Sequence, residues 1–217
     1  GLTRPDEGRH IGDDIDSAVV DAMLAAVEKQ FSIAQDFYAL KAQLLGQDKL
    51  AYHERGVEVG SLPEDYNAAK SVTLVKKVLG ELDPEFLAIS EMMLTNGQLD
   101  FFPKKGKSGG AFCAMDLPSQ PTFVLLNHTD KLRDVTTIAH EMGHAINDEM
   151  MKKHQHALYC GNSLAIAEVA STFVEDFVLE EVANQAGEEH KLAILMMKLN
   201  DDITTIFRQV AAYRFEQ

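Results

Sequence analysis

The run HEMGH at residues 140–144 places two histidines four positions apart within the apolar stretch VTTIAHEMGHAI. Residues with this spacing lie about 40° apart around a helix axis, so the pattern predicts a helix with both imidazoles on one face. The apolar flanking residues indicate that this face is buried. Buried imidazoles beside a buried carboxylate are costly without a partner, so the fold has to provide one for His140, Glu141 and His144.

These three side chains have the pattern of a zinc site. Histidines on adjacent helical turns can reach one Zn²⁺ ion at zinc–nitrogen distances of about 2.0–2.1 Å. Glu141 then lies beside the ion, where its carboxylate can take a proton from the attacking water molecule. We predict one Zn²⁺ ion per chain with His140 and His144 as ligands and Glu141 as the catalytic base, although cobalt and manganese suit the same ligand types.

A catalytic zinc ion usually takes a third protein ligand from another element. Glu168 follows His144 by 168 − 144 = 24 positions and is the only acidic residue between positions 163 and 174. A carboxylate in such an apolar stretch is costly unless it binds something, so Glu168 is the predicted third ligand. Glu175 follows two helical turns later on the same face, and we predict that it accepts a hydrogen bond from a ligand histidine.

The rest of the chain predicts a mainly α fold. Aromatic residues make up only 7% of the sequence and tryptophan is absent, whereas residues that favour helices recur throughout. The runs GAFCAM, near 110–115, and PTFVLL, near 121–126, are typical of short strands. We therefore predict a single domain over residues 1–217 that is helical except for one small β-sheet.

Charge and composition exclude several classes of partner. The chain carries 34 acidic and 20 basic residues, a formal net charge of −14, which repels the phosphate backbone of nucleic acids. No apolar run approaches the roughly 18–20 residues of a membrane span, and the polar N-terminus is unlike a signal peptide. A secreted scaffold of this size normally has more than two cysteines, so we predict a cytoplasmic protein with no membrane partner.

HEMGH, the segment AEVASTF with Glu168, and the segments GKSGGAFC and PTFVLLN resemble the oligoendopeptidase F branch of the thimet-type zinc oligopeptidases. The similarity runs from near residue 17 to the last residues. It implies a gluzincin, a helical zincin-like catalytic core that hydrolyses internal amide bonds of short unstructured peptides. It also implies that Gly110, Ala111, Phe112 and Cys113 lie along the cleft and pair with the peptide backbone, a mode of binding with little sequence demand.

Members of that family have a larger N-terminal helical region and a C-terminal region with tyrosine and histidine near the scissile carbonyl group. We therefore expect a catalytic-core fragment that binds zinc and has weak or no peptidase activity. Two alternatives stay open. One is a peptidyl-dipeptidase-like zinc enzyme that releases two residues from a C-terminus, and the other is a catalytically silent, zinc-bearing core that binds peptides.

Overall fold

A computed structural model of the protein describes residues 1–62 and 65–216. The chain divides into two compact units. The terminal unit comprises Gly1–Leu62 together with Ala186–Gln217, and the central unit comprises Pro63–Gln185. That the whole chain forms a single domain stays a prediction.

The described residues are mainly helical, with a three-stranded sheet in the central unit, so the predicted fold class is confirmed. The helices of the terminal unit come from the two ends of the sequence, and the helices and strands of the central unit come from the part between them. In order they are α1 (Glu7–Gly12), α2 (Ser17–Glu28), α3 (Phe31–Leu44), α4 (Ala68–Leu82), α5 (Pro84–Thr95), β1 (Leu99–Asp100), β2 (Phe112–Ala114), β3 (Phe123–Leu125), α6 (Leu132–His154), α7 (Leu164–Gln185), α8 (Glu188–Ile203) and α9 (Gln209–Glu216). No helix in the described ranges is both long enough and apolar enough to cross a membrane.

The sheet has the order β1-β3-β2, in which β3 runs parallel to β1 and antiparallel to β2. Cys113 of β2 lies opposite Val124 of β3, whose side chain is buried. The two strands expected from the sequence are present but shorter than predicted, and β1 was not predicted. A two-residue strand such as β1 has no periodicity that a sequence can reveal, because its pairing with β3 alone defines it.

Helix α6 begins where the Asp134 carboxylate accepts hydrogen bonds from the backbone N–H groups of Thr129, at 2.7 Å, and Lys131, at 2.9 Å. These bonds satisfy donors at the helix N-terminus and fix where its first turn starts. Val135 and Ala139 then lie fully buried on the face of α6 that meets the core of the central unit. The start of α6 therefore sets the rotation of the helix and the face on which residues 140–144 lie.

Helices α6 and α7 approach each other closely at Gly143. A Cβ atom added there would lie 2.5 Å from the carbonyl oxygen of Ala170 and 2.7 Å from the Cα atom of Ser171. Both are backbone atoms of α7, so they cannot move aside as the end of a flexible side chain could. Only glycine allows this approach, and it brings the backbone of α7 against the turn of α6 between His140 and His144.

The terminal unit has a separate apolar core. Phe37 of α3, Val59, Met196 of α8 and Ile203 form its buried cluster. Lys41 is also buried, and its ammonium group donates to the carbonyl oxygen of Arg55 at 2.6 Å and to Oδ1 of Asn200 at 2.9 Å. These hydrogen bonds offset part of the cost of burying the charge and tie the chain near residue 55 to α3 and α8.

We expect Gly143→Ala to lower the free energy of unfolding by about 1–3 kcal/mol, the usual cost of forcing extra atoms into a packed interior. The added methyl group meets backbone rather than side-chain atoms, so α6 and α7 have to separate. Urea denaturation followed by circular dichroism measures the change.

Gly80→Ala is the matched control, since Gly80 also lies within a helix of the central unit. A Cβ atom there would meet only the Leu87 side chain, whose nearest atom is 3.1 Å away and can rotate. We expect a change within about 1 kcal/mol, with the higher helix propensity of alanine favouring the folded state. Equal losses for the two variants would contradict a special role for the close approach at Gly143.

Candidate metal centre

The structure brings the three predicted metal ligands together on the facing sides of α6 and α7. Nε2 of His140 lies 3.4 Å from Oε2 of Glu168, and Nε2 of His144 lies 3.7 Å from the same oxygen. One candidate ligand atom from each of the three residues lies within 4.8 Å of the others. The 24 positions between His144 and Glu168 are spanned by the end of α6, the connection after it and the first turn of α7.

The donor set fits a small divalent cation. Four ligands at about 2.0–2.1 Å in a tetrahedron lie about 3.4 Å from one another, which is close to the separations between Glu168 Oε2 and the two imidazole nitrogens. Two nitrogens and one carboxylate oxygen are the three protein ligands typical of a catalytic zinc site, and they leave a fourth position open. The geometry and the chemistry of these residues thus fit a divalent metal ion, and zinc as its identity stays a prediction.

The imidazole of His140 is held by a hydrogen bond at its other ring nitrogen. Nδ1 of His140 lies 3.0 Å from Oε2 of Glu175, and this hydrogen bond is the main reason why the pKa of His140 is raised. The backbone of Ala167 lies at the His144 ring and acts to raise its pKa. With Nδ1 of His140 engaged by Glu175, the Nε2 atom of His140 is oriented toward Glu168.

The pKa of His144 is lowered, first because burial disfavours the charged imidazolium and second because His140 lies next to it. A neutral imidazole is the form that binds a metal. The contact of Glu175 with His140 was predicted from the sequence and is present as a hydrogen bond, whereas the position of Ala167 at His144 was not predicted. A backbone contact such as that of Ala167 leaves no mark in the sequence, so only the folded chain reveals it.

Ser171 was not predicted from the sequence. Its side chain is completely buried, and its single hydroxyl proton is shared between the backbone carbonyl oxygen of Glu168, 3.0 Å from Oγ, and Oε2 of Glu168, 2.8 Å from Oγ. This is the same carboxylate oxygen that faces both imidazoles. A hydroxyl one helical turn after a predicted ligand is the only sequence signal for it, and that signal is weak because serine is common in helices packed at close range.

Glu141 lies beside the three ligands and is 7% exposed. Its pKa is raised, mainly because burial disfavours the charged carboxylate. The backbone of Cys113 in β2 lies at this carboxylate and acts in the opposite direction, lowering its pKa. A carboxylate with a raised pKa is a better proton acceptor and a better donor near neutral pH than an ordinary glutamate.

The predicted peptide-binding segment lies next to Glu141. β2 is an edge strand, paired on one side with β3 and, within the described residues, with no strand on the other. Phe112 is half-exposed, and Gly110 and Ala111 line a hollow of about 290 Å³ with Thr137 of α6. Burial raises the pKa of the Cys113 thiol, whose Sγ lies 3.5 Å from Oδ2 of Asp148, so this thiol is poorly suited to act as a nucleophile.

The chain is similar in sequence to bacterial oligopeptidases. Oligopeptidase PepF of Bacillus subtilis is 29% identical to the chain over 206 residues, which are 93% of this chain and 30% of that protein. An oligoendopeptidase F homolog of Borreliella burgdorferi is 27% identical over 210 residues, 93% of this chain and 35% of that protein. The chain thus spans about a third of the length of these relatives.

Solved structures share the fold. A crystal structure from Chlamydophila abortus superposes with a TM-score of 0.82 at 25% identity, over 97% of this chain and 35% of that one. PZ peptidase A, solved with an inhibitor, gives a TM-score of 0.75 at 24% identity, over 89% of this chain and 36% of the other. The family model of peptidase family M3 matches residues 10–217, nearly the whole chain. The protein therefore belongs to peptidase family M3.

Proposed function

We propose that this chain carries the catalytic core of a zinc-dependent oligopeptidase that hydrolyses internal amide bonds of short, unstructured peptides. The observation that carries the proposal is the convergence of His140, His144 and Glu168 beside the buried carboxylate of Glu141. The names of the relatives, oligopeptidase and oligoendopeptidase, support cleavage within short peptides. They favour this reading over release of dipeptides from a C-terminus.

His140, His144 and Glu168 would hold the metal ion. A bound Zn²⁺ ion supplies Lewis-acid chemistry, which activates water and polarises the scissile carbonyl group. Glu175 keeps the His140 imidazole in the ligand orientation, and Ser171 holds the Glu168 carboxylate. The protein thus contributes a rigid site whose ligands need little rearrangement when the cation binds.

Glu141 transfers the proton from the water molecule to the leaving group. Its carboxylate accepts a proton from the water molecule that attacks the carbonyl carbon, and then delivers that proton to the nitrogen of the leaving amine as the C–N bond breaks. The raised pKa caused by burial brings the carboxylate closer to the range in which both transfers are efficient. Water provides the oxygen of the new carboxylic acid, so the reaction needs no further reactant.

The free edge of β2 suits an extended peptide. Main-chain hydrogen bonds to this edge would hold a substrate strand regardless of its sequence, beside the carboxylate at which the Cys113 backbone lies. Most backbone groups of a folded protein are already paired within it, so this mode of binding favours unstructured peptides. Cleavage of a peptide panel with free and with amidated C-termini tests this, because a peptidyl-dipeptidase needs the free carboxylate and an endopeptidase does not.

We expect Glu141→Gln to keep one Zn²⁺ ion per chain and to slow cleavage of a short peptide by about 10²–10⁴-fold, since it removes the proton acceptor but no ligand. Metal content is measured by atomic emission, and cleavage by mass spectrometry after long incubation. Glu168→Ala is the companion variant and should lose the metal. If Glu141→Gln lost the metal as Glu168→Ala does, the separate roles of these two carboxylates would be wrong.

Replacing Glu175 by alanine should weaken zinc binding by about 10–100-fold, because His140 loses the carboxylate that orients its ring. Competition with a fluorescent zinc chelator gives the affinity. Glu180→Ala removes an exposed carboxylate from the same helix and should leave the affinity unchanged. Equal effects of the two variants would indicate that only the net charge of α7 matters.

Ser171→Ala should weaken zinc binding by about tenfold, the lower end of the effect of outer partners, with little change in packing. The matched control is Thr172→Ala, because Thr172 Oγ1 donates only to the Glu168 backbone carbonyl, at 2.6 Å, and not to its carboxylate. The same chelator competition distinguishes them. An unchanged affinity for Ser171→Ala would mean that the carboxylate holds its position without the serine.

A further inference from the structure

The terminal unit contains a groove of about 600 Å³ of its own. Its walls are formed by α3, by residues 48–55 and by the chain between α8 and α9, and most of the lining is apolar. The apolar lining includes Phe31, Ala34, Tyr38, Ala42, Ile203 and Phe207. A volume of this size is typical of sites for small organic ligands, which occupy about 300–1,000 Å³.

One wall of the groove is a π-helical turn, Thr204–Arg208, inserted between α8 and α9. Such turns are rare in proteins, and those that do occur are often found at functional sites. The extra residue shifts the side chains that follow relative to their positions in a regular helix. This turn contributes Phe207 to the lining, where its ring meets that of Phe31 with centroids 6.2 Å apart. The next residue, Arg208, also lines the groove.

The groove has an apolar inner end and a basic outer end. Ala42 and Ile203 are buried, whereas Tyr52 is 72% exposed and marks the side open to solvent. Arg55 stacks on the Tyr52 ring, with its guanidinium carbon 4.1 Å from the ring centroid, and donates to the Tyr52 carbonyl oxygen at 2.8 Å. Arg208 Nη2 donates to the Tyr52 hydroxyl at 3.5 Å. One tyrosine thus holds two guanidinium groups at the open end.

The charge of this lining is opposite to that of the chain. Its described residues include three bases, Lys49, Arg55 and Arg208, and one acid, Asp48, whereas the whole chain has a net charge of −14. In the parts of the chain that the structure describes, neither arginine forms an ion pair with a carboxylate. In so acidic a chain, two guanidinium groups without such a partner at the open end of an apolar groove favour an anionic ligand.

We propose that this groove binds a small amphipathic monocarboxylate, with its apolar part among Phe31, Tyr38 and Phe207 and its carboxylate at Arg55 and Arg208. A planar guanidinium group matches a carboxylate with two parallel hydrogen bonds, which a lysine cannot provide. The same chemistry is found in a medium-chain fatty acid and in the C-terminus of a short apolar peptide. The site lies outside the residues that carry the proposed peptidase chemistry, and its occupancy does not depend on them.

Isothermal titration of the whole chain, freed of metal with a chelator, tests the proposal. The probes are decanoate below its critical micelle concentration and N-acetyl-trileucine, each paired with its neutral amide. We expect saturable binding of one carboxylate per chain, with the matching amide at least tenfold weaker. The carboxylate that binds more tightly shows whether the groove prefers a fatty acid or a peptide C-terminus. Removal of the metal separates this binding from peptide binding at the candidate metal centre.

Three variants of the groove and one control complete the test. Arg55→Gln and Arg208→Gln should each weaken binding at least tenfold, and Ala39→Trp, at an exposed position of α3 on the groove wall, should abolish it by filling the space. Arg9→Gln removes an equal charge from the same unit, where Arg9 is ion-paired with Asp13, and should change nothing. Thermal melts establish that each variant is folded.

Four results would overturn the proposal. The first three are the absence of saturable binding by either carboxylate, equal binding of a carboxylate and its amide, and equal losses for Arg9→Gln and Arg208→Gln. Ala39→Trp leaves every charge in place, so unchanged binding in that variant would also overturn it.

Discussion

The close approach of α6 and α7 at Gly143 is the contact on which the metal centre depends. His140 and His144 belong to one helix and Glu168 to the other, so the distances of 3.4 and 3.7 Å between their ligand atoms exist only while the helices stay in contact. A side chain at position 143 would meet the backbone of α7 at Ala170 and Ser171. The glycine within HEMGH is therefore needed for the two helices to approach closely enough to bring the three ligand side chains together.

Because of this contact, groups on α7 lie close enough to the ligand side chains to hold them in position. The first turns of this helix supply the Glu168 carboxylate, the Ala167 backbone at the His144 ring and the Ser171 hydroxyl bound to Glu168. Glu175 extends the set by two turns and binds His140. The backbone of Cys113 in β2 lies at the Glu141 carboxylate, so the free edge of the sheet is next to the proposed base. Peptide binding and proton transfer would thus occur on adjacent groups.

Most of the candidate ligand residues and two of the three strands were predictable, because they depend on the spacing of residues that are close together in the sequence. The interval of four between His140 and His144 defines a helical face whatever the rest of the chain does. An isolated acid such as Glu168 is conspicuous in an apolar stretch, and Glu175 follows it at helical spacing. The strands near residues 112 and 124 were also predictable, although β1 was not, because a strand of two residues exists only through its partner.

The sequence by itself determined the mainly helical fold, the small sheet and the identity of the candidate ligands, since each of these follows from residue type and periodicity. Only the tertiary structure decided that α6 and α7 meet at Gly143, that the Ala167 backbone lies at His144 and a buried serine at Glu168, and that Tyr52 gathers two arginines beside an apolar groove. These contacts join residues far apart in the chain or involve backbone atoms, and neither leaves a periodic pattern in the sequence.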